Sequence, residues 1–377
     1  MARGLESRRS PPTRRRTRRP VNGCGEGATP RDGEAASDGT AGDRPGVPEA
    51  GTGAGTAGRT SHEVLAALDL GTNNCRLLVA RPEGRGFRVI DAFSRIVRLG
   101  QGLGRSGELA EDAIERTLDA LAVCAAKMQR RQVTRFRAVA TEACRSAGNG
   151  AAFLERVAAE TGLALQVITA EEEATLALAG CRPLLDPSVP GALVFDIGGG
   201  STEIAWQWSG PEGDRTVAAV SMPIGVVTLA ERYGGDRFSE SDYESMVGEV
   251  AGRLLAFEGR HRIAAAAAEG QVQMIGTSGT VTTLAGVRLD LRRYNRDRVD
   301  GLYLDIDDTR AIGRRLAGMD FEGRAAHPCI GRDRADLVVA GCAILEAICR
   351  AWPVPRLRVA DRGVREGILL GLLARNG

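Results

Sequence analysis

Two stretches share one grammar, and together they constrain the fold more than any other feature. "LAALDLGTNNCRLLVA" at 65–80 and "LVFDIGGGSTEIAW" at 193–206 each run an apolar strand into an acid, a turn and a second apolar strand. After a strand, glycine allows a tight turn and lets backbone N–H groups come close to an anion. Gly71 serves the first loop, and Gly198, Gly199 and Gly200 the second. Thr72, Asn73, Asn74, Ser201 and Thr202 can add donors. Asp69 and Asp196 stand at the strand ends, where a carboxylate beside phosphate commonly serves a Mg2+ ion. One such loop alone reads equally well as a hairpin turn. Two at equivalent places, with a third glycine-rich turn in "IGTSGTVTTLAG" at 275–286, point to anion binding. None is a Walker A or dinucleotide fingerprint. "GTSGTVTT" lacks the Gly-Lys-Ser/Thr end, and "DIGGGST" lacks the GxGxxG spacing.

The surrounding pattern repeats as well. Residues 64–97 read as an antiparallel meander of strands. Residues 107–133 read as an amphipathic helix, with Leu109, Ile114, Leu118 and Leu121 at helical spacing. "TRFRAVATEACR" reads as a strand entering a short loop at 140–145, and "NGAAFLERVAAETG" as a helix closed by Gly162. "LALQVITAEEEATLALAGC" is a strand and then a helix, with acids at the turn. A second module opens near Pro190 with strand, glycine loop and strand again. A long helix over 241–269 follows, then strand–turn–helix at 272–287, a strongly helical run in "DRADLVVAGCAILEAICRAW" and a closing strand and helix in "RLRVADRGVREGILLGLLAR". This is a duplication of topology. The expected domains are 62–180, with the C-terminal helix as a candidate addition, and 181–377. Two such modules leave a cleft between them.

Composition excludes several classes of function. The chain has 377 residues, enough for two domains. Its 50 basic and 48 acidic residues leave a net charge of +2, which selects no partner. Aromatics make up only 4%, too few for base-stacking platforms, so nucleic acid is disfavoured. No apolar stretch reaches transmembrane length uninterrupted, so no stable membrane partner is expected. Eight cysteines without a CxxC pair read as buried thiols in a reducing, cytoplasmic setting. His62, His261 and His327 show no zinc spacing. Residues 1–20 hold eight arginines and one acid, and 23–60 are nearly free of large apolar residues. Residues 1–61 therefore read as a disordered tail that cannot offset its ordering entropy by burial. The tail lacks the apolar run of a signal peptide, and Glu26, Asp32 and Glu34 argue against a transit peptide. A solubilising tail or an overlong start is favoured over a nucleic-acid or lipid contact.

"TAEEEA" supplies Glu171, Glu172 and Glu173 at a strand-to-helix turn, and the pattern does not choose among them. Acids favour a helix N-terminus in any case. No Cys or Ser stands as a nucleophile beside a histidine. A long anionic substrate needs a basic rim. Arg76, Arg95, Arg98, Arg145, Arg292, Arg293, Arg296 and Arg298 are candidates, with "LRRYNRDR" at 291–298 the densest patch.

The motifs "AALDLGTNNCRLLVA", "VRLGQGL", "AVATEACRSAGN", "VITAEEEA", "VFDIGGGSTEIAW", "SMPIGVVTLAERY", "MIGTSGTVTTLAGV" and "LRVADRGVREGIL" follow one another in this order. Together they resemble the exopolyphosphatase/guanosine-pentaphosphate phosphatase family over roughly residues 62–377. The chain is similar to the short, two-domain type. The resemblance implies an α/β fold of two RNase-H-like domains, as in the sugar kinase/Hsp70/actin superfamily, with a phosphate-binding cleft between them. It implies Mg2+-dependent hydrolysis of terminal phosphoanhydride bonds, with inorganic polyphosphate or guanosine pentaphosphate as substrate and a homodimer as a candidate state. By the same resemblance Glu173 is the catalytic base. Arg145 faces the phosphate, and its fork suits phosphate oxygens. Glu203 is a second-domain acid for the metal or the water, alongside Asp69 and Asp196 as metal-side acids. Gly276, Thr277, Ser278 and Gly279 match a cleft loop. The sequence departs from the family at Thr175, where an arginine is frequent, and at Glu142, where small or apolar residues are common. The competing reading is an ATP-binding kinase-like or scaffold protein of the same superfamily, with an adenosine pocket near 276–286 and 360–367.

Overall fold

The alternating apolar runs assemble into two sheets of one topology. The computed structural model describes residues 63–210, 215–234 and 236–374. The tail expected over 1–61 lies outside the described residues. The first sheet contains β1 (Leu65–Leu70), β2 (Asn74–Glu83), β3 (Gly86–Ile96), β4 (Arg135–Ala140) and β5 (Gln166–Val167), in the order β3-β2-β1-β4-β5. Strands β1 to β3 form the antiparallel meander, and β4 and β5 run parallel to β1. The second sheet contains β6 (Gly191–Ile197), β7 (Thr202–Ser209), β8 (Arg215–Met222), β9 (Val272–Thr277), β10 (Tyr303–Asp305) and β11 (Arg356–Ala360). Its order is β10-β11-β9-β6-β7-β8. Without the short antiparallel edge strand β10, it reads β8-β7-β6-β9-β11, which repeats the first sheet strand for strand. The fold is thus an α/β duplication on two mixed sheets.

Helices cover both sheets. The first lobe carries α1 (Leu103–Ser106), α2 (Glu111–Arg130), α3 (Glu142–Ser146), α4 (Gly150–Thr161) and α5 (Ala170–Cys181). The second carries α6 (Val226–Tyr233), α7 (Glu240–His261), α8 (Ile263–Ala268), α9 (Ser278–Arg288), α10 (Arg296–Val299), α11 (Ile306–Ala317), α12 (Phe321–Ala325) and α13 (Val338–Ala351), and α14 (Val364–Ala374) closes the described chain. Helix α2 turns Ile114, Leu118 and Leu121 onto the first sheet, as their spacing requires, and Leu109 is buried just ahead of it. The single helix expected over 241–269 is two. Arg262 adopts φ 52°, a left-handed conformation that ends α7 before α8 begins. The loop expected at 140–145 winds into α3. The seven described cysteines are free and buried.

Two helices cross between the lobes. From the first lobe, α5 packs Ala174, Leu178 and Cys181 against Val194, Ala205 and Ile275 of the second sheet. From the far end of the chain, α14 packs Val364, Ile368, Leu369 and Leu372 against Leu65, Ala67, Leu78 and Val139 of the first. Each lobe thus lends the other a helix. Their crossing is too close for a side chain at two positions. A Cβ on Gly180 would meet Gly363 O at 2.0 Å, and one on Gly367 would meet Leu176 O at 2.1 Å. These are backbone atoms that cannot swing aside, so Gly180→Ala and Gly367→Ala are each expected to cost about 1–3 kcal/mol in urea unfolding. Gly371 lies on the same helix with nothing within 4 Å. Gly371→Ala is expected to stabilise by about 0.5–1 kcal/mol through helix propensity alone. Equal effects at 367 and 371 would refute the close crossing.

Candidate active site

The two glycine loops are built alike and face each other. Gly71 N donates to Asn74 O at 2.9 Å, and Gly198 N donates to Ser201 O at 2.9 Å, so each turn closes with the same backbone bond. Each strand-end aspartate pairs across its hairpin with the residue seven positions on: Asp69 with Arg76, and Asp196 with Glu203. The second loop is held from behind by the start of α6, where Val226 N and Val227 N donate to Gly198 O and Gly199 O at 2.9 and 2.8 Å. The loops meet closely, since a Cβ on Gly199 would lie 3.0 Å from Thr72 and 3.1 Å from Asn73. Between them opens a cleft with about 890 Å³ of space, part of it open to solvent.

Acids of both lobes converge on this cleft. Asp69, Glu173 and Asp196 line it. Burial raises the Asp69 carboxyl despite the nearby Arg76 and Arg365. Burial pushes Asp196 up to about 6, with Asp69 adding to the rise and Arg76 opposing it. Glu173 is raised first by burial, then by the charges of Glu203, Asp69 and Asp196. Glu203 is also raised by burial, although Ser201 and Ser221 hydrogen-bond it. Two buried oxygens, Glu173 Oε2 and Asn73 Oδ1, have no hydrogen-bond partner among the described residues. Such orphaned acceptors are costly unless something binds them.

The structure separates the three acids at the start of α5. Thr169 caps this helix through the Glu172 amide. Glu171 is exposed, and Glu172 turns outward to Arg137, at 2.5 Å. Only Glu173 is buried, at 9% exposure, and it faces the cleft.

The expected phosphate residues fall into two groups. Gly71, Thr72, Asn73, Asn74, Gly198, Gly199, Gly200, Ser201, Ser278 and Gly279 line the cleft. Thr202, Gly276 and Thr277 do not. Thr202 Oγ1 donates to Ile224 O at 2.7 Å and anchors the turn before α6. Gly276 lies beneath Phe195, whose ring would meet a Cβ at 2.5 Å. Thr277 Oγ1 donates to Arg362 O at 2.5 Å, tying β9 to the start of α14. Glu203 also stands outside the lining, 2% exposed, with Ser221 Oγ donating to it at 2.8 Å. Arg145 does not line the cleft. Its Nε and Nη2 donate to Glu142 Oε2 at 3.1 and 2.6 Å, and its Nη1 donates to Ile168 O at 2.7 Å. Nη1 also lies 3.5 Å from Glu173 Oε2. The guanidinium therefore braces the base of α5, and the departure at Glu142 accounts for its occupied fork.

The basic rim is likewise redistributed. Arg95 stacks on Phe93, and Arg296 is bound to Asp361 and Glu366. Arg292, Arg293 and Arg298 lie outside the cleft lining. Arg76 does line it, and with it Arg334, which the sequence reading overlooked along with Thr280 and Thr283. Arg334 Nη1 donates to Thr283 Oγ1 at 3.3 Å, and neither arginine forms an ion pair with a described residue. Burial lowers the Arg334 pKa, as does the neighbouring Arg76 charge. Arg76 lies near Asp69 and Asp196 without ion-pairing to either, and both arginines remain able to attract anions.

Fold and cleft define a two-lobed α/β protein whose twin loops enclose buried acids and unpaired arginines. The chain belongs to the Ppx/GppA phosphatase family, whose profile matches residues 78–376. It is 32% identical over 327 residues to Exopolyphosphatase 2 of Mycobacterium tuberculosis, covering 82% of this chain and 98% of that protein. The crystal structure of the Aquifex aeolicus Ppx/GppA family member superposes with a TM-score of 0.67 at 28% identity, over 84% of this chain and 99% of that one. An exopolyphosphatase from Cytophaga hutchinsonii superposes with a TM-score of 0.74 at 25% identity, over 83% and 98%. Membership supports phosphohydrolase activity of the Ppx/GppA type. Among the described residues, no helix is long and apolar enough to cross a membrane.

The buried acids make a prediction about stability. A carboxyl raised in the folded state binds more protons there than in the unfolded chain, whose value is about 4. Its contribution therefore falls as pH rises above that value. Glu173→Gln removes one such group. The melting temperature of this variant minus that of the wild type is expected to grow from about pH 5 to pH 8 in metal-free buffer. A difference that shrinks over that range would contradict a raised Glu173.

Proposed function

We propose that the cleft hydrolyses terminal phosphoanhydride bonds of inorganic polyphosphate, releasing orthophosphate. The observation that carries this reading is the pairing of opposite chemistries in one cleft. Backbone loops and the unpartnered Arg76 and Arg334 suit phosphate oxygens, while the buried Glu173 suits a water proton. The names of the Mycobacterium tuberculosis and Cytophaga hutchinsonii relatives agree with it.

The chain's residues divide the work. The loops at 71–74 and 198–201, with Ser278 and Gly279, hold the terminal phosphate. Arg76 and Arg334 neutralise its oxygens. Water attacks the terminal phosphorus, the bridging P–O bond breaks, and the shortened chain leaves with that bridging oxygen. Glu173 takes the proton of the attacking water. Arg145, 3.5 Å away, favours the ionised form that this requires. Glu203 acts behind the loop, through Ser201 and Ser221.

Mg2+ fits the cleft. Among the described residues no three His, Cys, Asp or Glu side chains stand close enough to hold a metal by themselves. Mg2+ does not require that, since it is commonly bound by one or two carboxylates, substrate phosphates and water. Asp69 and Asp196 are the residues that would hold it, and the orphaned Asn73 Oδ1 is a further oxygen nearby. When bound, it would supply charge to offset both the phosphates and the cleft acids.

Guanosine pentaphosphate is the second reading. Val226, Leu337, Val338 and Val364 give the cleft an apolar wall that a bare polyphosphate does not need. We propose lobes of residues 62–180 and 181–377, with α14 reaching back from the second onto the first.

The test is phosphate release with Mg2+ from long-chain polyphosphate, tripolyphosphate, guanosine pentaphosphate and ATP. Polyphosphate is expected to be the best substrate, and Glu173→Gln to lower kcat by about 10²–10⁴. Full turnover in that variant would remove Glu173 from the mechanism. Preferential conversion of ATP to ADP would overturn the substrate assignment.

A further inference from the structure

One arginine also ties the two lobes together. Arg98 follows β3 in the first lobe. Its Nη1 donates to Asp336 Oδ2 at 2.8 Å, and its Nη2 donates to Asp336 Oδ1 at 3.1 Å and to Asp333 O at 3.0 Å. Both partners belong to the second lobe. A second bond spans the same rim, from Gly102 N to Glu231 Oε1 at 2.8 Å. A two-pronged ion pair with side chains only 30% and 27% exposed is better placed to matter than an open surface pair.

Both ends of this contact lead into the active cleft. Arg98 N donates to Asn73 O at 3.1 Å, beside the bond from Val97 N to the same oxygen at 2.9 Å, and Gly100 N donates to Thr72 O at 2.9 Å. The 97–100 segment is thus hydrogen-bonded to the first anion loop. At the other end, Asp333 and Asp336 flank Arg334, which lines the cleft. A second cavity lies beside the contact, lined by Arg98, Glu231 and Asp336, and it shares Asn73 and Leu337 with the cleft. Arg98 itself has φ 51°, a left-handed backbone uncommon for any residue but glycine.

We propose that Arg98 is a positioning residue: it clasps the first-lobe anion loop to the segment carrying Arg334, so that both grip one polyanion. This rests on the phosphohydrolase reading above. Arg98 touches no reacting atom in this arrangement. Its loss weakens the hold on substrate and leaves the hydrolytic step itself largely intact.

Arg98→Gly is the informative variant, because glycine accepts the left-handed backbone while the guanidinium is lost. It should raise KM for tripolyphosphate by about tenfold or more and change kcat by less than about threefold. Asp336→Asn should do the same, and the reciprocal Arg98→Asp/Asp336→Arg pair should recover most of the lost affinity. Hydrogen exchange of the full chain without substrate provides a readout independent of turnover. Amides of the 332–337 segment should exchange faster in Arg98→Gly and return toward wild type in the reciprocal pair. Unchanged exchange and unchanged KM in Arg98→Gly would overturn the clasp. So would a reciprocal pair no better than either single variant while its melting temperature stays at the wild-type value. A wild-type chain that releases no phosphate from tripolyphosphate would sink the functional reading instead, and the exchange experiment would still decide the clasp.

Discussion

Carboxylates gathered in one poorly hydrated cleft are the constraint on which the molecule turns. Asp69, Asp196 and Glu173 line that cleft, and Glu203 lies just behind it. Each is driven toward its neutral form by burial, and the neighbouring acids add to the effect on Glu173, Asp196 and Glu203. A fold does not gather such groups for stability, because unpaired buried charge is costly. Strained electrostatics of this kind cluster at functional sites. The rest of the architecture is what holds the acids in place. The twin hairpins bring each aspartate to a strand end, and α5 brings Glu173 across from the first lobe to the loops of both.

The duplication explains how two lobes make one site from unlike residues. Asp69 and Asp196 occupy equivalent positions, and the residues paired across from them are Arg76 and Glu203. A pseudo-symmetric frame thus carries opposite charges at matched places. The lobes are joined at two edges of different character. On one side α5 and α14 cross at glycine, leaving no slack between backbones. On the other, polar contacts from Arg98 and Gly102 span the rim, and these can open without unpacking a core.

Much of this was legible in the residues. The repeated strand–acid–glycine grammar gave the duplication, both loops and both strand-end aspartates, because local turn chemistry and strand periodicity encode them directly. The family resemblance selected Glu173, and of the three acids it is the one that the fold buries. What the sequence concealed was set by packing between distant segments. Gly276 and Thr277 look like loop residues, yet Phe195 and Arg362 claim them. Arg145 has the right place in the chain, but Glu142 three residues earlier occupies its fork. Arg334 sits in "GRDRADL", a charged stretch leading into a helical run, and nothing local distinguishes it from a solvated arginine. The seven-residue spacing from Asp69 to Arg76 and from Asp196 to Glu203 was a usable signal for Arg76. No comparable repeat marked Arg334.

The central claim is that one terminal phosphate sits between the two glycine loops with Glu173 behind its attacking water. The most direct measurement is a crystal structure of the protein soaked with Mg2+ and an imido analogue of tripolyphosphate. The account predicts a terminal phosphate hydrogen-bonded by amides of both the 71–74 and 198–201 loops, with the analogue's tail directed at Arg334. An analogue bound to one lobe alone, or on the 291–298 patch away from Glu173, would contradict it.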